Sequence, residues 1–532
     1  MRPSRREDTF SYLARCLLFQ PTVLAKTVSA GLLGIQAFPV HIEVDVSLGL
    51  PQYNLVGLAE SAVKEGAVRV RAALENSGFA LPPRRVTINL APADIRKDGA
   101  AFDLPIALAL LEALELIPPG VLDNRIWLGE LGLDGSIRRI SGSLPIAMWA
   151  QKTDRREIVL PAACATEAAA VQGLVVRQAT SLRQVVEMLQ GGPPLPEVSK
   201  LPRAGVATTT DCDLSEVRGN EQPKRALAIA AAGGHNLLMI GPPGTGKSML
   251  ARRLVSILPP MTEEEALSAT AIYSAAGLLK EQSLLTQRPF RAPHHEVSVV
   301  GLVGGGSLPR PGEISLAHHG VLFLDELPEF PRAALESLRQ PLEERRITIV
   351  RARCSIQYPS SFSLIAAMNP CPCGFRGSTM RKCRCDSGVV NRYMSRLSGP
   401  LLDRFDLHVE VPHVEYQTLL EQKRVGESSS QVREKVVLAR AAQHLRATEY
   451  GNYAHSNATL DPDAVLNVAK PDAAGEKLLL AYAQKHGLSN RAVHRVLRVA
   501  RTIADLDEKP SVGAAHIAEA LSLRVLDLPS AR

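Results

Sequence analysis

Eight consecutive residues, Gly241-Pro242-Pro243-Gly244-Thr245-Gly246-Lys247-Ser248, fit G-x-x-x-x-G-K-[ST] at every fixed position. The chemistry of this spacing is phosphate binding: glycines let backbone N–H groups close around phosphate oxygens, Lys247 reaches the β and γ phosphates, and the Ser248 hydroxyl ligates Mg²⁺. Further on, Gly320-Val321-Leu322-Phe323-Leu324 is an apolar run that ends in Asp325-Glu326. Adjacent carboxylates there serve two tasks, Asp325 holding Mg²⁺ through water and Glu326 polarising the attacking water, which favours hydrolysis over transfer to a second substrate. A third apolar run, Phe362 to Met368, ends at Asn369-Pro370, and a polar residue at that point stands beside the γ-phosphate; an ordinary Asn-Pro turn is the alternative.

These groups need strands and helices to hold them. Asn236 to Ile240 is an apolar run of strand length, and Met249 to Leu258 reads as the helix that the loop opens. A length of 532 residues is too long for one core, and at about 150 residues per domain it implies roughly three. Residues 191–210, rich in Pro, Gly and small polar residues, read as a linker. Ahead of it, alternation predicts strands at Val40–Val46 and Val86–Leu90 and a helix over Pro105–Leu116; from about Val414 onward the pattern is helical, over Val432–Arg446 and Ala474–Leu506. Hydrophobic residues at 45% and charged residues at 22% place the chain among soluble globular proteins and exclude dominant disorder. The basic start lacks a signal-peptide cleavage site and apolar stretches are interrupted by charge, so the expectation is a cytoplasmic protein with no membrane association. The formal charge of +7 permits a polyanionic partner but is spread over a large chain.

With three such motifs in order, the chain resembles the AAA+ ATPases, and Val217-Arg218-Gly219-Asn220 looks like their adenine-side loop. The resemblance implies ATP and Mg²⁺ and gives Asn369 the sensor-1 role of orienting the lytic water. Ser398 to Leu407 contains Leu402-Asp403-Arg404-Phe405; in the chelatase and MCM branch this Arg is the finger that reaches a neighbouring subunit's nucleotide. Arg404 would then make the site an interface property of a homo-oligomeric ring, expected to be a hexamer. An ion pair with Asp403 or Asp406 is the alternative. Leu488-Ser489-Asn490-Arg491-Ala492 resembles the sensor-2 motif, which makes Arg491 a second phosphate contact.

The strings Arg288-Pro289-Phe290-Arg291-Ala292-Pro293-His294-His295 and Gly312 to Gly320 resemble signatures of the magnesium-chelatase-like AAA+ group. Their histidine pairs invite a metal reading; a structural or loop role is favoured. From about Leu24 the chain is most similar to the YifB/ComM proteins, competence-associated DNA motors. Lys97-Asp98-Gly99-Ala100-Ala101 resembles the nucleophile segment of Lon-type proteases, with Ala101 in place of Ser, and Leu144 stands where the catalytic Lys is expected. Neither can act as nucleophile or base, so no peptidase activity is expected. The implied fold class is α/β: an AAA+ P-loop ATPase core with a helical lid, preceded by a Lon-protease-like (ribosomal S5 domain 2-type) α+β domain. The expected boundaries are an N-terminal extension over 1–23, the Lon-like domain over 24–190, a linker over 191–212, the ATPase core with a four-Cys insert over 213–412, and the lid over 413–532.

Cys371-Pro372-Cys373 and Cys383-Arg384-Cys385 form two C-x-C pairs directly after the third strand. Four thiolates satisfy tetrahedral Zn²⁺, although the spacing is tighter than the usual C-x₂₋₄-C; reduced free thiols are the alternative. Arg376, Arg381, Lys382, Arg384, Arg392 and Arg396 surround them. Arg345 to Arg353 resembles the hairpin that related helicases point into a central pore, making Arg351 and Arg353 candidate DNA phosphate contacts; a solvated edge strand is the other reading. The expected function is an ATP-hydrolysing ring motor on single-stranded or branched DNA, a helicase or branch-migration enzyme in natural transformation and recombination. A chelatase-type motor subunit and a protein-remodelling ATPase are the rivals.

Overall fold

A computed structural model of the chain describes residues 23–57, 61–97, 99–199, 212–279, 284–306, 309–351, 354–378, 381–414, 426–449 and 456–527. The chain divides into two compact units, Met1–Ala204 with Thr270–Leu284, and Gly205–Ala269 with Leu285–Arg532. The linear order of domains is thus interrupted: a segment from beyond the phosphate loop groups with the first unit.

The first unit is built on a seven-stranded mixed sheet. Strands β1 (Val23–Leu33), β2 (Gln36–Ser47), β3 (Gln52–Val56), β4 (Arg85–Ala91) and β5 (Arg125–Trp127) precede a two-stranded ribbon of β6 (Glu130–Leu131) and β7 (Ile137–Arg138), and β8 (Glu157–Pro161) and β9 (Val175–Ala179) follow. The sheet order is β3-β4-β2-β1-β5-β8-β9, with β2 antiparallel to both β1 and β4 and the other pairs parallel. In β2, Val40, Ile42, Val44 and Val46 alternate into the core, the period expected of a strand with one covered face. The helix Asp103–Ala113 is buried at every position, which is why its sequence is apolar all round rather than striped. Its one acidic residue in the first turn, Asp103, meets Arg69 at 2.9 Å, and burial still pushes the carboxyl up to about 6 against that pairing. Pro196 O and Val198 N hydrogen-bond with β9, so the start of the Pro/Gly-rich stretch covers that edge strand.

Ser143 is fully buried, and its hydroxyl donates to Glu167 Oε2 at 2.7 Å; Ser274 donates to the same oxygen at 2.8 Å, and Arg139 pairs with the other carboxylate oxygen. Leu144 beside it is fully buried as well.

The second unit carries a five-stranded parallel sheet. Its strands are β10 (Leu237–Ile240), β11 (Phe290–Arg291), β14 (Val321–Leu324), β17 (Ser363–Met368) and β18 (Leu407–Glu410), in the order β11-β14-β17-β10-β18. Between them lie two ribbons, β12 (Gly304–Gly305) with β13 (Arg310–Pro311) and β15 (Arg346–Arg351) with β16 (Cys354–Pro359). All four residues of β10 and of β14 are buried, as expected of strands covered on both faces. Chain order reverses at β10, so its carboxyl end is the crevice in which open α/β sheets bind ligands. The C-terminal helices Ser429–Glu449, Asn490–Leu506 and Ala514–Ser522 share one core with this sheet through Val436, Ile503 and Ile517. The stretch read as helical over 474–506 is two helices, because Gly487 takes a left-handed φ of 66° and the Ser489 side chain caps the second by accepting from Ala492 N. No helix among the described residues is long and apolar enough to cross a membrane.

Candidate active site

The three sequence motifs converge at the carboxyl ends of adjacent parallel strands. β10 runs into Gly241, and the turn uses left-handed glycines, Gly244 at φ 78° and Gly246 at φ 87°, to open the helix Lys247–Ile257. Lys247 is mostly buried, and its Nζ donates to Gly241 O at 2.7 Å, Pro242 O at 2.8 Å and Asn369 Oδ1 at 3.2 Å. Burial holds its ammonium below the ordinary range, opposed by the charges of Asp325 and Glu326. Ser248 Oγ donates to Asp325 Oδ2 at 2.5 Å, and Asp325 Oδ1 accepts from Glu326 N at 3.0 Å. Pro243 to Met249, Asp325, Glu326 and Asn369 line one cleft of about 360 Å³. The structure therefore brings together Lys247, Ser248, Asp325, Glu326 and Asn369, but not Arg491, the other residue assigned to phosphate.

Sequence reading missed one neighbour of this group. His295 Nδ1 lies 3.6 Å from Glu326 Oε2, and Glu326 itself adopts a left-handed φ of 53°, a backbone cost of order 1–3 kcal/mol that clusters at functional sites. The His294-His295 string was the available signal, though nothing in it named Glu326 as the partner.

Arg404 and Arg491 lie elsewhere. Both line a second cavity, with Arg495, Arg498 and Glu343, and neither lines the phosphate-loop cleft of the same chain. The Arg404 guanidinium pairs with Glu343, and not with Asp403 or Asp406 as weighed from the sequence; those two face Arg495 at 3.7 and 3.9 Å. Arg404 Nε is buried with no hydrogen-bond partner among the described residues.

Comparison with known proteins gives the family. Residues 213–419 match the family described as magnesium chelatase, subunit ChlI; residues 42–164 match subunit ChlI of Mg-chelatase, and 426–524 match the ChlI C-terminal family. The competence protein ComM of Haemophilus influenzae is 46% identical over 94% of this chain and 98% of its own length, and the uncharacterized protein YifB of Escherichia coli is 44% identical over 93% and 96%. The chain belongs to the ComM/YifB family of magnesium-chelatase-like AAA+ proteins. The magnesium-chelatase 67 kDa subunit of Heliobacterium mobile is similar at 28% over 37% of this chain and 34% of its own, so the chelatase likeness is far narrower than the ComM/YifB one.

In this ComM/YifB chain the four cysteines do meet. Cys371, Cys373 and Cys383 have mutual Sγ separations of 3.4, 3.7 and 3.6 Å, and Cys385 Sγ is within 4.8 Å of the others. A tetrahedron with metal–sulfur bonds of about 2.3 Å has sulfur–sulfur edges of about 3.8 Å, so the set fits zinc. Backbone N–H groups of Arg384 and Phe375 hold the Cys373 thiol down to about 6, while the thiols of Cys383 and Cys385, which share hydrogen bonds with it, are raised. Gly374, at φ 83°, lies so close to Pro243 that a Cβ there would sit 2.6 Å from the proline ring; the cysteine loop rests on the phosphate loop.

Among the described residues this is the single group of three or more His, Cys, Asp or Glu side chains close enough to share one metal ion, and the histidine pairs do not join it. His318 is instead a buried structural residue. Its Nδ1 accepts from Ser361 N at 3.0 Å, which leaves Nε2–H to donate to Ser268 Oγ at 3.1 Å, and burial together with the His319 charge pushes its pKa down to about 3. A depressed value means that stability is full above the ordinary value near 6.5 and is lost as pH falls from there toward 3. In urea titrations His318→Gln is expected to be less stable than wild type at pH 7, with the gap narrowing by about 2 kcal/mol by pH 5; a gap independent of pH would contradict the assignment.

Arg351 is exposed at the end of β15, paired in register with Cys354. Arg353 lies outside the described residues.

Proposed function

We propose that this protein is an ATP-hydrolysing ring motor that works on DNA. The observation that carries the reading is the pair of cavities: a phosphate-loop cleft holding Lys247, Ser248, Asp325, Glu326 and Asn369, and a separate arginine cavity holding Arg404 and Arg491. Each chain supplies the binding half of one site and the arginine half of its neighbour's. That is a heterologous contact, the kind that builds a ring when its rotation closes. Ser248 Oγ and Asp325 Oδ2, hard oxygens already 2.5 Å apart, are the residues that would hold Mg²⁺, which neutralises phosphate charge when bound. Lys247 clamps the β and γ phosphates, Glu326 takes a proton from the lytic water, Asn369 orients that water, and Arg404 meets the charge that develops on the transferred group.

The DNA reading is supported by the printed name of the Haemophilus relative, a competence protein. It is also supported by the exposed Arg351 at the tip of the β15–β16 hairpin and by the six basic residues around the cysteine cluster. The first unit is read as a Lon-like domain without peptidase activity: Ala101 offers no nucleophile, Leu144 offers no base, and the Ser143 hydroxyl is buried against Glu167. The four cysteines are read as a structural zinc site.

Addition of single-stranded or branched DNA is expected to raise ATP turnover severalfold, with Lys247→Ala abolishing both turnover and strand displacement. A rate indifferent to DNA, or displacement that survives Lys247→Ala, rejects the motor. Metal analysis of the purified chain is expected to give one zinc per chain and near-complete loss in Cys373→Ser; a wild-type protein free of zinc, or a variant that keeps it, rejects the metal site.

A further inference from the structure

The strand that ends in the phosphate loop begins at the arginine half of the site. Asn236 stands immediately before β10 and is hydrogen-bonded through every polar group it has. Its Nδ2 donates to Arg404 O at 2.9 Å, and its Oδ1 accepts from Leu364 N in β17 at 2.9 Å. Its backbone N donates to Asp406 Oδ2 at 3.3 Å, and its carbonyl accepts from Asp406 N and Leu407 N at 3.0 and 3.1 Å. The residue before it, His235, is fully buried, and its Nε2 meets Thr502 Oγ1 at 2.8 Å on the helix Asn490–Leu506, which carries Arg491 and Arg495.

Arg404 sits in a short turn, residues 403–406, between the helix Gly399–Leu402 and β18. Among the described residues of its own chain its guanidinium is held only by the exposed Glu343 and a 3.4 Å contact to Pro400 O. Side-chain anchoring on Glu343 is weak because that carboxylate is half in solvent. The direction of the Arg404 side chain is therefore set by its backbone, and the one side-chain donor fixing the Arg404 carbonyl is Asn236 Nδ2 among the described residues.

We infer that Asn236 is a positioning residue for the Arg404 finger, acting on the nucleotide of the neighbouring subunit and not on the phosphate loop of its own strand. The inference rests on the proposed interface reading of Arg404. Asn236 ties the Arg404 turn to β17, the strand that ends in Asn369, and it does so at the opposite end of β10 from the phosphate loop.

Asn236→Asp is the selective test. The carboxylate still accepts from Leu364 N but cannot donate to Arg404 O. Misplacement of a transition-state group by about 1 Å costs about 10²-fold, so ATP turnover of the full-length ring is expected to fall by about that factor with nucleotide affinity unchanged. A merely structural role would not survive the second readout, which is subunit mixing with Lys247→Ala. Each Asn236→Asp chain has an intact phosphate loop and each Lys247→Ala chain an intact finger, so a 1:1 mixture of two nearly inactive proteins is expected to regain roughly a quarter of wild-type turnover through their heterologous contacts. Arg404→Ala mixed with Lys247→Ala is the control for the interface reading. If the control mixture regains activity and the Asn236→Asp mixture does not, Asn236 acts within its own subunit and the inference is wrong. If neither regains activity, the interface reading itself fails and takes the inference with it. Wild-type turnover in Asn236→Asp alone also overturns it.

Discussion

Arg404→Ala is expected to lower ATP turnover by about 10³-fold or more while leaving ATP affinity near the wild-type value, because an arginine finger stabilises charge that appears only in the transition state. The physical case starts from where the side chain is. Arg404 lines a cavity with Arg491, Arg495 and Arg498, and the residues around the phosphate loop line another. Five arginines, with Arg345 the fifth, line this cavity against three carboxylates, Glu343, Asp403 and Asp406, and burial holds Arg495 and Arg498 below their ordinary range, so an incoming polyphosphate relieves a local excess of positive charge. Arg404 spends its charge on Glu343 within its own chain. That carboxylate is exposed, and such a pair is worth at most about 1 kcal/mol, so little is lost when the guanidinium swings to a phosphate. Lysine is not an adequate substitute, since it lacks the planar fork that meets phosphate oxygens bidentately. The measurement is steady-state turnover beside equilibrium binding of a fluorescent ATP analogue. A variant that loses affinity in proportion to turnover, or keeps turnover within tenfold, sinks the assignment.

The contrast between this site and its sequence signature shows what spacing alone carries. Lys247, Ser248, Asp325, Glu326 and Asn369 were legible because each is punctuation at the end of a short apolar run, and parallel strands put all such ends on one edge of the sheet. Which ends become neighbours was not legible, since the order β11-β14-β17-β10-β18 is set by long-range packing. Contacts that depend on that order were missed for the same reason: His295 beside Glu326, Glu343 facing Arg404, Gly374 against Pro243, and Asn236 holding the Arg404 turn. The cysteines give an intermediate case. Two C-x-C pairs announce a four-thiol set, but the spacing does not state their convergence to sulfur–sulfur separations of 3.4 to 3.7 Å. In the N-terminal unit, alternation located β2 and β4, whereas nothing in the sequence pattern announced that Thr270–Leu284 groups with that unit.

Glu326→Gln is expected to lower turnover by about 10²- to 10⁴-fold, the range that a positioned general base contributes, and to retain ATP. Glutamine keeps the shape and length of the side chain but cannot take a proton. The rest of the cleft supports the division of labour between the two acids. Asp325 is engaged by Ser248 through one oxygen and by Glu326 N through the other, so its carboxylate is committed to the metal-side cluster. Among the described residues Glu326 accepts no such side-chain bond and approaches only His295 Nδ1, at 3.6 Å, and it is about half exposed; it is the acid placed to meet a water in the cleft. Removing its negative charge also removes one of the two charges that hold a proton on Lys247, and the remaining Asp325 keeps the ammonium available to phosphate. Binding should therefore survive while chemistry stops, and a DNA-bound ring should persist in the presence of ATP and Mg²⁺. Single-turnover hydrolysis measured beside filter retention of labelled DNA decides the matter: rapid release of DNA, or a loss of ATP affinity equal to the loss of rate, would assign Glu326 to ground-state binding instead of to the lytic water.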